Sequence, residues 1–592
     1  MPRSDLTLAL VGSGGDGVIT MGDMIAQAGA REGLNVIKVE AYGPQIRGGE
    51  SSTTVRLSGE EIFAQADFVD ILVVFNWKDF ARFKSEIMVR KDAVIFSEAK
   101  DETEVDGAEL GAGPEATWIK VPFIDLAKEA AGTTLAKNIV TLGLLSELFG
   151  LPQEGIRKAI ENKFAKKKAE VLEANLKGFA AGLEFAKGLD VDLGAWRLEY
   201  TPGEPKLLMS GNEAAAVGAI HAGCRFFSGY PITPSSEVLH FLSHWMPVVG
   251  GSVVQTEDEL AAIGGVLGAS FAGVKAMTAT SGPGFALMTE MLGLASMAEL
   301  PAVIFDVQRG GPSTGLPTKS EQSDLWQALY GSHGDAPRVV LAPADVEDCF
   351  HTMVDAFNIA EEYQIPVIVL SDQNIAQRRE TLSMLSLEHE VKERLTPKPE
   401  ELEDYKRYKD TPTGVSPMTW PGIKGGEYQT NGLEHDEYGK PSSMFLVHEK
   451  MNAKRYRKLR PIRDEFHFIR KYGPDNADVG ILCWGSSKGP VKEAVLRANA
   501  RGEKVAAFVP QVLYPFPKHE FEEFLKGVRE FIVIELSYSA QFYKYLRTFL
   551  ELPEGRTHIF KRSGGKNLTV HEVEEEIRKV LPQASTRREV LV

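Results

Sequence analysis

Short apolar runs, mostly β-branched or aromatic, recur along the chain at residues 6–11, 35–39, 68–75 and 93–97, again at 225–228, 275–280, 302–307 and 366–371, and again at 479–484, 504–509 and 531–535. Each is bounded by Gly, Pro, Asn or Asp and is too short for a helix, which predicts a buried strand. Between them lie segments of helical spacing, such as Ile25-Ala-Gln-Ala-Gly-Ala30. Strands alternating with helices predict an α/β protein built of parallel sheets. The pattern divides the chain into an α/β domain at 1–189, a polar linker at 190–205 that includes Tyr200-Thr-Pro-Gly-Glu-Pro205, a second α/β domain at 206–379, and a third at 476–592. Residues 380–475 are rich in Pro, Lys, Glu and Tyr and lose the periodicity; they read as a connecting or covering segment without a core of its own. The run Lys166-Lys-Lys168 reads as a solvated face, and no fixed-period repeat is visible.

A chain of 592 residues exceeds one core, so three or four domains are expected. The net charge of -16 leaves no basic excess to neutralise phosphates, which argues against a nucleic-acid partner and against an anionic membrane surface. No apolar run approaches the ~18 residues of a spanning helix. The opening Met1-Pro-Arg-Ser-Asp-Leu lacks a signal-peptide layout, so the cytoplasm is the expected address. Cys224, Cys349 and Cys483 lie far apart, whereas an iron–sulfur cluster needs about four closely spaced thiolates. They are expected to be buried reduced thiols, and the chain to hold no cluster.

Three stretches carry candidate chemistry. Gly12, Gly14 and Gly17 match G-x-G-x-x-G between a strand and a helix, with Glu40 near the place of a ribose-binding acid, so a nicotinamide cofactor is one reading and a tight strand–helix turn the other. In Tyr230-Pro-Ile-Thr-Pro-Ser-Ser236, Pro231 and Pro234 flank Thr233 and hold its hydroxyl in place; Ser235 and Ser236 are possible caps. Downstream, Gln255-Thr-Glu-Asp-Glu259 opens a helix of small residues, where carboxylates also suit the helix dipole. A glycine-proline loop then carries two cations, Arg309 and Lys319, either of which suits a carboxylate partner.

Taken together these stretches resemble the 2-oxoacid:ferredoxin oxidoreductases, thiamine diphosphate enzymes. The glycine turn followed by Arg47-Gly-Gly49 and Val55-Arg56 resembles the family's gamma domain, here fused ahead of the alpha part. Tyr230–Pro234, Ala272-Gly-Val-Lys-Ala-Met-Thr-Ala-Thr-Ser-Gly-Pro-Gly-Phe285, residues 307–325 and Ser332-His-Gly-Asp335 resemble the pyrimidine-side domain. Val509-Pro-Gln-Val-Leu-Tyr-Pro-Phe-Pro517 and residues 533–541 resemble the transketolase C-terminal-like domain, with Ser537 in place of Asn and Ala540 in place of Gly.

The resemblance implies a site. Thiamine chemistry requires a carboxyl in apolar surroundings against the aminopyrimidine ring. Glu257 matches that position, with Asp258 and Glu259 as alternatives, and Pro231 and Ile232 border the cofactor. Thr233 sits beside the 2-oxoacid, Lys319 matches a substrate-contacting cation with Arg309 as the alternative, and His333 is a candidate for proton transfer that reads first as a hydrogen-bonded structural histidine. Arg47 falls on the coenzyme A side. Gly15-Asp16-Gly17 contains the tripeptide used to hold Mg²⁺ and diphosphate, but no Asn pair follows and the domain is the wrong one. Mg²⁺, the diphosphate site and a [4Fe-4S] cluster are therefore expected in a partner beta subunit, within a dimer of heterodimers that reduces ferredoxin. The implied reaction converts a 2-oxoacid and coenzyme A to acyl-coenzyme A and carbon dioxide, with 2-oxoglutarate the first substrate to consider and pyruvate or broad 2-oxoacid use as alternatives. A nicotinamide-dependent dehydrogenase and a non-catalytic assembly subunit are the readings from other classes.

Overall fold

Both faces of the first strand are buried: Leu6, Leu8 and Leu10 point into one core and Ala9 and Val11 into another, so it reads as a continuous apolar run. The same holds for most strands in the computed structural model, which describes residues 3–43, 49–466 and 468–590. These residues form twenty strands, numbered in chain order, in three sheets. The chain makes two units, Met1–Met209 with Arg378–Leu385, and Ser210–Gln377 with Ser386–Val592.

The first unit holds an eight-stranded sheet ordered β6-β5-β4-β1-β3-β2-β14-β7. Its strands are β1 (Asp5–Ser13), β2 (Asn35–Tyr42), β3 (Glu50–Ser58), β4 (Val69–Val74), β5 (Val89–Glu98), β6 (Thr117–Val121), β7 (Leu207–Ser210) and β14 (Arg379–Leu382). β1, β4, β5 and β6 run parallel, but β3 lies antiparallel between β1 and β2, and β14 antiparallel to β2. The expected parallel sheet is thus parallel over half its width. Only seven residues separate β2 from β3, fewer than a parallel crossover needs, and so short a return gives an antiparallel pair. Helices Lys137–Phe149 and Ala169–Lys187 cover one face and cross at Gly143 and Gly182, where an added Cβ would fall 2.1 and 2.0 Å from the opposing carbonyls. Residues 190–205 do not simply connect: Trp196 and Leu198 join this core, and the Arg3 guanidinium lies 3.7 Å over the Trp196 ring. Lys38, a buried residue of β2, pairs with Asp23 at 2.5 Å and with Glu40. Arg47 lies outside the described residues.

In the second unit a seven-stranded sheet runs β18-β12-β13-β11-β10-β8-β9. β8 (Phe226–Gly229), β9 (Ser252–Gln255), β10 (Ala276–Thr280), β11 (Ala302–Gln308), β12 (Val339–Leu341) and β13 (Pro366–Asp372) are parallel. The edge strand β18 (Val512–Tyr514) arrives antiparallel from the C-terminal part of the chain. A five-stranded sheet, β15 (Ile469–Tyr472), β17 (Val505–Pro510), β16 (Ala477–Leu482), β19 (Val528–Glu535) and β20 (Thr557–Lys561), is parallel except for β15. The two sheets share one hydrophobic core in which Trp484, Phe516 and Phe542 belong with Phe285, Leu325 and Met418.

Residues 386–475 carry two helices, Phe445–Arg457 and Leu459–Glu465, and are fastened largely by buried charge. Arg394 forks onto Glu361 at 2.7 and 2.9 Å and donates to Ser270 O. Lys275 donates to Ala222 O and Lys392 O and pairs with Glu393 at 2.9 Å. Glu299, 2% exposed in its side chain, meets Lys454 at 2.7 Å and also Lys458, while Arg407 donates to its backbone carbonyl at 2.7 Å. Burial alone would raise this carboxyl; Lys454, Lys458 and Arg407 reverse that and hold it well below the usual carboxylate range. Removing the one acid from three buried cations leaves uncompensated charge, so Glu299→Gln is expected to cost roughly 3–5 kcal/mol, read as a fall in thermal midpoint, and adding Lys454→Met should recover part of it. A Glu299→Gln chain as stable as the parent would refute this account.

Candidate active site

In a parallel sheet every strand delivers its following loop to the same edge, where ligands bind in α/β folds. At that edge of the seven-stranded sheet, β8 leads to the Thr233 turn, β9 to residues 256–259, β10 to Ser281–Gly284 and β11 to Arg309. The Thr233 turn is pinned from several sides. Asn212 Nδ2 donates to Pro234 O at 2.8 Å, Ser235 donates from its N–H and hydroxyl to Ile232 O at 2.8 and 3.1 Å, and Arg309 Nη1 donates to Thr233 O. The peptide between Thr233 and Pro234 is cis. Pro231, Ile232 and Thr233 are each half-buried.

The three acids after β9 divide sharply. Thr256 N donates to Gly229 O at 3.0 Å and its hydroxyl to Asp258 O at 2.9 Å, which sets the turn. Asp258 then caps the helix Glu259–Phe271, accepting from Ala261 N at 2.7 Å. Glu257 is exposed, whereas Glu259 is only 6% exposed. Burial, reinforced by the charge of Asp258, raises the Glu259 carboxyl against the opposing effects of its own backbone N–H and Arg309. Its place depends on Gly284: an added Cβ there would fall 2.3 Å from Thr280 Oγ1 and 2.4 Å from Glu259 Oε1. The resemblance placed the cofactor carboxyl at Glu257; of the three acids it is Glu259 that the fold buries.

Arg309 is buried among carboxyls, feeling the charges of Glu259, Asp306 and Asp324. Asp306, at 0% exposure, lies level with Thr280 in the β10–β11 register, and neither of its carboxyl oxygens has a hydrogen-bond partner. The loop after Arg309 closes on itself, Gly310 N donating to Lys319 O at 3.0 Å and Leu316 N to Gly310 O at 2.7 Å, so Arg309 and Lys319 flank the two ends of one loop. The five-stranded sheet holds this loop: Gln322 donates to Trp484 O at 2.7 Å and accepts from Leu536 N at 2.9 Å, Gln541 Nε2 donates to Ser323 O at 2.8 Å, and Gly564 N donates to Glu321 at 2.7 Å.

Three family models cover most of the chain: "Pyruvate ferredoxin/flavodoxin oxidoreductase" at residues 7–185, "Pyruvate flavodoxin/ferredoxin oxidoreductase, thiamine diP-bdg" at 217–454, and "Pyruvate:ferredoxin oxidoreductase core domain II" at 477–573. The chain is 30% identical to 2-oxoacid:ferredoxin oxidoreductase 2, subunit alpha, of Aeropyrum pernix, over 98% of this chain and 99% of that protein. It belongs to the 2-oxoacid:ferredoxin oxidoreductase family. With the 2-oxoglutarate synthase subunit KorA of Methanothermobacter marburgensis it shares 40% identity, over 63% of this chain and 98% of that one. The solved structure of 2-oxoglutarate:ferredoxin oxidoreductase from Magnetococcus marinus, with 2-oxoglutarate, coenzyme A and succinyl-CoA bound, superposes with a TM-score of 0.92 at 39% identity, over 98% of this chain and 100% of that chain.

In this oxidoreductase subunit the fold brings Thr233, Arg309 and Glu259 to one edge and leaves Glu257 and His333 at the surface. Ala540 has a left-handed φ of 56°, which accounts for glycine in the family pattern, and Ser537 donates to Glu535 at 2.6 Å. The glycine turn does not build a dinucleotide fold, because β3 separates β1 from β2 and Glu40 is engaged with Lys38 and Tyr42. Asp306 and Asp324 were not legible as site residues. An Asp inside an apolar run, in Phe305-Asp-Val-Gln308, was the available signal. Gly284→Ala is expected to leave the subunit folded, because the site is at a helix start, while displacing the Glu259 carboxyl. Turnover should fall about tenfold or more, comparable to loss of a positioned acid–base group; parent-like turnover would show that Glu259 need not sit where it does.

Proposed function

We propose that this chain carries the aminopyrimidine side of a split thiamine diphosphate site in a 2-oxoglutarate:ferredoxin oxidoreductase. The reaction is the conversion of 2-oxoglutarate and coenzyme A, with oxidised ferredoxin, to succinyl-coenzyme A, carbon dioxide and reduced ferredoxin, and it is reversible. The observation that carries the reading is the buried Glu259 carboxyl at the same sheet edge as the Arg309–Thr233 pair. A buried carboxyl raised above its ordinary range suits a ring nitrogen with which a proton is shared. The thiamine-binding family model over 217–454 and the 2-oxoglutarate named with the Magnetococcus enzyme support the cofactor and substrate.

Thiamine diphosphate, when bound, supplies the carbon nucleophile and takes up the electrons left on loss of carbon dioxide. Glu259 holds the proton at the aminopyrimidine ring. Pro231 and Ile232 wall the ring's side of the crevice, and Arg309 both fixes the Thr233 turn and supplies the charge for the 2-oxoacid carboxylate. Lys319, at the other end of the Arg309 loop, is the cation in this chain for the second carboxylate. Tyr230, Leu260, Leu287 and Leu316 are exposed on the segments that carry the site, an apolar rim suited to a partner. That partner is a beta subunit bringing Mg²⁺, the diphosphate site and a [4Fe-4S] cluster, in a dimer of heterodimers in the cytoplasm; the first unit, with Arg47, serves the coenzyme A side.

Glu259→Gln should lower 2-oxoglutarate-dependent ferredoxin reduction by roughly 10²–10⁴-fold, while Glu257→Gln stays within a few-fold of the parent. The opposite ranking would return the role to Glu257. Iron and thiamine analysis of the natively purified protein checks the assembly: a co-purifying second chain with both is the expected result, and a solitary chain lacking both would exclude the split site.

A further inference from the structure

Beneath Arg309 lies a carboxyl pair that the reaction as written does not use. Asp306 lies within β11, two residues before its end, fully buried, with both oxygens unpartnered. No hydrogen-bond donor replaces its hydration, and burial raises the Asp306 carboxyl well above the usual carboxylate range, the neighbouring Asp324 adding to the rise and Arg309 opposing it. Asp324 starts the helix Leu325–Tyr330 but does not cap it, and its Oδ2 also lacks a partner. Its carboxyl lies against the Ser281–Gly284 turn: an added Cβ on Gly282 would fall 2.8 Å from both its oxygens. Its backbone N–H donates to Gln308 Oε1 at 3.1 Å, which fixes it beside the end of β11.

We propose that Asp324, backed by Asp306, is a positioning carboxyl that sets the charge Arg309 offers, so that a proton on Asp324 and the substrate carboxylate bind cooperatively. This rests on Arg309 as the partner of the 2-oxoacid carboxylate. The charged groups facing Asp324 are Arg309 after the end of β11, Asp306 within it, and Glu321 on the closing loop, and Glu259 also acts on Arg309. Burial pushes the Asp324 carboxyl up to about 7, Arg309 opposing and Glu321 adding to the rise. Below that pH Asp324 is neutral and Arg309 turns its full charge to the substrate. Above it Asp324 is ionised and takes part of that charge. By reciprocity, substrate binding draws a proton onto Asp324.

The KM of the holoenzyme for 2-oxoglutarate is therefore expected to rise about tenfold between pH 6 and pH 8, one proton per site, with kcat not following it. Asp324→Asn should hold KM low and level across this range. Asp306→Asn, which copies a neutral acid, should keep the parent slope. A parent KM that is level from pH 6 to pH 8 overturns the proposal without any variant, as does a slope that survives in Asp324→Asn. Arg309→Met separates this from the reading beneath it. An unchanged KM in that variant removes Arg309 from the substrate site altogether. A raised KM in Arg309→Met, with the slope retained in Asp324→Asn, removes the proton linkage alone.

Discussion

Charge taken out of water organises the second unit, and it does so in two opposite ways. Around Glu299 one carboxylate faces Lys454, Lys458 and Arg407, all buried, and stays ionised. Around Arg309 one guanidinium faces Glu259, Asp306 and Asp324, and the carboxyls rise. The difference is the sign of the majority. A buried acid outnumbered by cations recovers its lost hydration as Coulomb energy; acids that outnumber a single cation cannot all do so, and protons fill the deficit. The first arrangement anchors a segment with little apolar content of its own, and the second leaves protonatable carboxyls at the edge where chemistry is expected.

The parallel sheet explains why those carboxyls meet. Residues from 233 to 324 reach one crevice because β8, β9, β10 and β11 all end on the same edge. Burial makes β8, β10 and β11 largely apolar, so a polar residue inside one of them, such as Thr278 in β10, is an exception. Asp306 is another, ionisable and beside Arg309, still within its strand and wholly buried. The five-stranded sheet contributes by holding the loop between Arg309 and Asp324 through Gln322, Gln541 and Gly564. Its role at the site is thus to limit the motion of a loop it does not carry.

Much of this was legible in the chain. The apolar runs at 225–228, 302–307 and 531–535 lie within or against β8, β11 and β19, because a strand buried on both faces admits few polar residues and so announces itself. The Thr233 turn, Arg309 and Lys319 were legible from Pro and Gly flanking polar groups, since rigid backbone around a polar side chain is a local property. The antiparallel hairpin of the first sheet was not, because nothing in an apolar run records the direction of its neighbour.

What the sequence determined by itself was therefore the local order of elements, the family and the short list of acids and cations, each set by residues close together in the chain. Which acid is buried was decided only by tertiary structure. Glu257 and Glu259 are two residues apart and chemically identical, and they differ because one faces solvent while the other lies against Thr280 and Gly284 from the next strand and turn. The pairing of Asp306 with Asp324 across 18 residues, and the set of charges around Arg309, belong to the same class. Desolvation and Coulomb interaction depend on distance in space, and distance along the chain does not report it.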